Sequence, residues 1–103
     1  MYRILIVDDE PIIVDGLYNL FLYYIEPELE VHKAYSASQA LSLLNELRID
    51  IVLSDIKMPG MNGLEMLREI QTRWPFCHVI FLSGYRRSSR YEFILNKYDY
   101  RSC

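Results

Sequence analysis

The feature that most constrains this chain is a repeated ending: short runs of branched apolar residues, each stopped by an acid or a hydroxyl. Arg3-Ile4-Leu5-Ile6-Val7 is closed by Asp8-Asp9-Glu10-Pro11, Asp50-Ile51-Val52-Leu53-Ser54 by Asp55, and Val79-Ile80-Phe81-Leu82 by Ser83-Gly84. Runs this short and this apolar read as strands buried on both faces. Residues 29–35 alternate apolar and polar side chains instead, as an edge strand does.

Helical patterns fill the gaps. Ile12, Ile13, Gly16, Leu17, Leu20, Phe21 and Tyr24 recur at three- and four-residue spacing, with Pro11 suited to the first turn. Ser36 or Ser38 can cap a second helix striped by Ala40, Leu41, Leu43, Leu44 and Leu47. Asn62 can cap a third, from Gly63 to about Trp74, carrying Leu64, Met66, Leu67 and Ile70 and stopping before Pro75. A fourth is expected over about 88–96. Strands alternating with helices imply an α/β domain: a parallel sheet with right-handed crossovers and helices on both faces. In such sheets ligands bind outside the carboxyl ends of the strands, which directs attention to Asp8, Asp9, Asp55 and Ser83.

With 103 residues there is room for one core and one domain. No run of about 18 apolar residues occurs, so neither a membrane span nor a cleavable leader is expected. Two cysteines, Cys77 and Cys103, without a denser framework suit reduced thiols in a cytoplasmic setting. Residues 1–83 hold six Lys/Arg against twelve Asp/Glu, net −6, whereas 84–103 hold five against two, net +3. An acidic body gives no electrostatic case for direct contact with nucleic acid, and Arg86, Arg87 and Arg90 are expected in a solvated loop. His32 and His78 have no second His or Cys at metal spacing and read as ordinary strand or surface residues. The nine tyrosines read as amphipathic packing.

Three carboxylates gathered in a partly dry crevice repel one another unless protonated or neutralised by a cation. An all-oxygen set that leaves room for water and phosphate favours Mg²⁺. Asp55 stands in the stiff loop Ser54-Asp55-Ile56-Lys57-Met58-Pro59-Gly60-Met61-Asn62-Gly63, which can present its carboxylate to solvent and let the Lys57 carbonyl reach the metal. A carboxylate beside Mg²⁺ can attack phosphorus and form an acyl phosphate. Ser83 and the Gly84 amide can then hydrogen-bond a phosphoryl oxygen.

The segments "ILIVDDE", "DIVLSDIKMPGMNGLEML" and "VIFLSGY" occur in this order, and through them residues 1–85 resemble the receiver domain of bacterial two-component response regulators. The last two resemble receivers of transcription regulators with an AraC-type output. The resemblance implies a flavodoxin-like doubly wound sheet of order 2-1-3-4, with the fifth strand and fifth helix missing or incomplete. It implies Asp55 as phosphoacceptor, Asp9 as a direct Mg²⁺ ligand, Asp8 as a ligand through water and Lys57 as the backbone-carbonyl ligand. Pro59 and Gly63 match the loop that follows, and Ser83 matches the hydroxyl that turns toward the phosphoryl group. The implied donor is a phosphohistidine of a sensor histidine kinase. The implied role is regulatory, catalysis being confined to the domain's own phosphorylation and dephosphorylation.

Beyond residue 85 the pattern departs. A fifth strand would carry a switch aromatic, for which Tyr100 is the candidate, and a phosphate-contacting lysine, for which Lys97 lies too early. Residues 86–103 form a divergent basic tail. A sheet so shortened leaves the first helix and the fourth strand exposed, inviting homodimerisation or swapping. Two further readings therefore stand beside the phosphoacceptor: a degenerate, non-phosphorylated interaction module, and an aspartate-nucleophile phosphatase. The phosphatase is disfavoured because Lys57 stands two residues after Asp55, where a general-acid Asp is commonly needed.

Overall fold

The computed structural model describes residues 2–24 and 29–82. Within them four strands, β1 (Tyr2–Val7), β2 (Leu29–Ala34), β3 (Ile51–Ser54) and β4 (His78–Phe81), alternate with three helices, α1 (Pro11–Tyr24), α2 (Ala37–Glu46) and α3 (Gly63–Arg73). All pairings are parallel and the order is β2-β1-β3-β4, so the doubly wound arrangement and the edge position of β2 are as expected. The helix expected at 88–96 lies outside the described residues. No helix among those described is long and apolar enough to cross a membrane.

Register places Leu5 beside Val52 beside Val79, and Val7 beside Ser54 beside Phe81. These rows point to one face, where they pack with Ala37, Ala40 and Leu44 of α2 and Met66, Leu67 and Ile70 of α3. Alternate residues Ile4, Ile6, Ile51 and Leu53 point to the other face, joined by Val31 and by Val14, Leu17, Tyr18 and Phe21 of α1. Phe81 is fully buried, so truncating it to Ala would cost about 3–5 kcal/mol.

Strand ends differ by single residues from the sequence pattern. β4 begins at His78 and stops at Phe81 because it pairs with β3 from Ile51↔His78 to Ser54↔Phe81. β2 stops at Ala34, opposite Val7, and Asp50 lies just before β3. Ser36, not Ser38, caps α2: its Oγ accepts the Gln39 N–H at 3.1 Å. α1 corrects the expected stripe. Val14, Leu17, Tyr18 and Phe21 pack inward, whereas Ile12 and Leu20 are 83% and 56% exposed, because the helix has more apolar positions than one contact face can take. Tyr2 and Tyr23 are exposed too.

Candidate functional site

β1 and β3 are neighbours in register, so the chain leaves the sheet at Asp8 and at Asp55 side by side. The ladder continues one step past each strand: the Asp55 N–H donates to Val7 O at 3.1 Å and the Asp8 N–H to Ala34 O at 3.3 Å. One carboxylate oxygen from each of Asp8, Asp9 and Asp55 then falls within 4.8 Å of the others, and no other such gathering of three His, Cys, Asp or Glu residues occurs among the described residues.

Each carboxylate is held by the local chain. Asp8 is buried, and its Oδ1 accepts the Glu10 N–H at 3.1 Å, closing the turn that leads into Pro11 and α1. Burial pushes the Asp8 carboxyl up to about 6, against the pull of the Glu10 hydrogen bond, and the charges of Asp55 and Asp9 push the same way. Asp55 Oδ1 accepts the N–H of Ile56 at 2.8 Å.

The loop from Asp55 to α3 is built for close approach. Gly60 has φ 74°, the left-handed region that glycine enters without strain. Asn62 and Glu65 form a reciprocal capping box with both bonds at 2.9 Å, and the Gly63 N–H donates to Ile56 O at 2.7 Å. A Cβ at Gly63 would stand 2.5 Å from the Asp55 carbonyl oxygen and 2.8 Å from Phe81 Cε1, so α3 can start against the Asp55 backbone only with glycine there.

The sequence-predicted trio of Asp8, Asp9 and Asp55 is thus brought together. Lys57 follows in the loop with its side chain exposed. Ser83, Tyr100 and Lys97 lie outside the described residues. The donor set is all oxygen, and the Asp8 carboxyl is raised chiefly by burial, with the charges of Asp55 and Asp9 adding to it. Both features suit a hard divalent cation. Sequence reasoning passed over Ser54, whose fully buried Oγ donates to the Asp55 carbonyl at 2.8 Å. The signal available was a hydroxyl closing an apolar run, directly before Asp55.

A doubly wound parallel sheet with acids at the carboxyl ends of two adjacent strands defines a class of protein with its site at the strand tips. Residues 4–98 match the response regulator receiver domain family, and the chain belongs to it. It is 35% identical over 85 residues to the uncharacterized transcriptional regulatory protein YesN of Bacillus subtilis, covering 82% of this chain and 23% of that protein. A response regulator receiver domain from Clostridium thermocellum superposes with a TM-score of 0.73 at 33% identity, covering 86% of this chain and 70% of the other. A two-component transcriptional regulator AraC from Clostridium phytofermentans superposes with a TM-score of 0.71 at 32% identity, covering 86% of this chain and 72% of the other. The chain thus spans under a quarter of the length of YesN. It is a receiver domain of the two-component type, a regulatory class.

Proposed function

We propose that this receiver accepts a phosphoryl group on Asp55 from the phosphohistidine of a sensor kinase, in a Mg²⁺-dependent reaction, and passes the signal to a transcriptional output. The observation that carries this reading is the convergence of the Asp8, Asp9 and Asp55 oxygens to within 4.8 Å at the tips of β1 and β3. Asp8, Asp9, Asp55 and the Lys57 carbonyl would hold the cation. When bound, Mg²⁺ screens the carboxylates and offsets charge on the phosphoryl oxygens.

The chain's own part is positioning. The Ile56 N–H engages Asp55 Oδ1 and sets the plane of the carboxylate. A carboxylate oxygen of Asp55 forms the new O–P bond while the donor's N–P bond breaks, and the imidazole nitrogen keeps the electron pair and is reprotonated by solvent. The Ser83 hydroxyl is assigned the phosphoryl contact and the switch, with Tyr100 as the aromatic that follows it. Similarity to the two-component transcriptional regulator AraC of Clostridium phytofermentans and to YesN supports a transcriptional output.

The test is intact-protein mass spectrometry with phosphoramidate and Mg²⁺. The wild-type chain should gain one phosphoryl mass; Asp55→Asn should gain none, and removal of Mg²⁺ by EDTA should abolish the gain. A wild-type chain that stays unmodified at every donor concentration defeats the reading. The exposure of Ile12, Leu20 and Tyr23 along α1 favours a second reading, an interaction module that self-associates without phosphorylation. Light scattering over a concentration series separates the two: a monomer at all concentrations removes the second.

A further inference from the structure

Ser54 is the one polar residue in the row Val7–Ser54–Phe81, on the sheet face packed by α2 and α3, and it is fully buried. An alanine or valine would pack there without the cost of drying a hydroxyl. The hydroxyl instead donates, at 2.8 Å, to the carbonyl of the residue that carries the nucleophile. That carbonyl lies past Asp55 N–H to Val7 O, the last β1–β3 ladder bond among the described residues. Gly63 also approaches this oxygen so closely that a Cβ would stand 2.5 Å from it. The carbonyl of the Asp55–Ile56 peptide thus meets both a hydroxyl and a bare helix start. Its N–H, on Ile56, is the group that engages Asp55 Oδ1 at 2.8 Å.

We propose that Ser54 is a positioning residue for the phosphoacceptor. Through its hydrogen bond to the Asp55 carbonyl it fixes the tilt of the Asp55–Ile56 peptide, and that tilt aims the Asp55 carboxylate at the Asp8–Asp9 pair. Gly63, with no Cβ, leaves the room at the start of α3 that this carbonyl occupies. The inference rests on the phosphoacceptor reading of Asp55. Its chemical logic is that of groups behind a metal ligand, whose removal commonly weakens metal binding by about 10–100-fold without touching the ion.

The experiment compares Ser54→Thr with Ser54→Val, two side chains of equal bulk of which only Thr keeps the hydroxyl. Mg²⁺ titration and the phosphoramidate rate at saturating Mg²⁺ are measured on each, with the wild-type mass gain as the check on the underlying reading. The Val variant should bind Mg²⁺ about tenfold more weakly than the Thr variant and react about tenfold more slowly at its maximal rate, with the KM for phosphoramidate unchanged. Equal Mg²⁺ affinity and equal maximal rate in the two variants overturn the proposal, whatever their melting temperatures. If neither folds, Ser54→Ala takes their place against the wild type under the same criteria. A wild-type chain that gains no phosphoryl mass counts against the phosphoacceptor reading, and the Thr–Val difference in Mg²⁺ affinity still decides the role of Ser54.

Discussion

The same strands end in opposite electrostatic arrangements at their two tips. At the amino end of the sheet charges are matched. Arg3 Nε meets Glu30 Oε2 at 3.1 Å, His32 Nε2 meets the same oxygen at 2.5 Å, and Asp50 accepts the Arg3 N–H at 2.9 Å with Arg48 Nε 3.8 Å away. At the carboxyl end three carboxylates crowd together. The pKa directions follow. Glu30 is lowered, chiefly by its hydrogen bond with His32, whereas Asp8 is raised to about 6, chiefly by burial. One tip stabilises the fold; the other gives up stability at neutral pH to hold a charge that a proton or a bound cation relieves.

Asp8→Asn should break that contrast with the largest effect. A carboxyl whose folded pKa is raised binds its proton more tightly in the folded chain, so folding loses stability as pH rises from 3.8 through about 6. The shift corresponds to at most about 3 kcal/mol, present as a penalty above pH 6 and absent below the unfolded pKa. Asparagine can still accept the Glu10 N–H and carries no charge. In EDTA at pH 7.5 Asp8→Asn should therefore be more stable than the wild type by about 1–3 kcal/mol in urea melts, the two converging toward pH 4. Mg²⁺ should stabilise the wild type and do much less for the variant. A variant no more stable than the wild type in EDTA at pH 7.5 would show that Asp8 bears no such penalty.

How much of this was legible in the residues differs between the two tips. The buried strands were readable because Ile4 to Val7 contact helices on both faces, which leaves no polar side in the pattern. The acid trio was readable because parallel strands point their carboxyl ends the same way, so Asp8 and Asp55 had to lie at one edge of the sheet once β1 and β3 paired. Register itself was not readable, and with it went the ends of β2 and β4, which pairing sets. Nor was the inward face of α1, since Ile12 and Leu20 fit the helical period as well as Val14 and Leu17 do. The matched tip was invisible for the same reason: Arg3 and Asp50 are 47 positions apart and meet only after the sheet is assembled. The Lys33–Asp15 bridge at 3.2 Å, with Tyr35 Oη donating to the same oxygen at 2.7 Å, likewise joins β2 to α1 with no local signature.

At the matched tip Asp50→Asn should cost stability and spare the chemistry. The variant weakens a charge-assisted bond to the Arg3 amide and the attraction to Arg48, at about 1 kcal/mol. Its phosphoramidate rate should stay within about twofold of the wild type, because nothing at this end touches the strand tips that carry Asp8 and Asp55. A large loss of rate with intact stability would mean that the two tips are coupled through the strands, and the contrast would need to be redrawn.

The smallest effect belongs to Glu30→Gln. Glu30 is partly exposed, as are its partners Arg3 and His32, so the cluster gains little in water. Its sign is nevertheless opposite to that of Asp8. A carboxyl whose folded pKa is lowered contributes stability that is present above its ordinary 4.5 and lost as pH falls through the folded value. The difference between wild type and Glu30→Gln should therefore vanish in acid, where the Asp8 penalty also disappears, and should shrink in about 0.5 M salt, which screens exposed charges. Measured side by side, Glu30→Gln should lower stability at pH 7.5 by less than Asp50→Asn does, while Asp8→Asn raises it. If Glu30→Gln stabilises the chain at pH 7.5, the amino end is not the matched one.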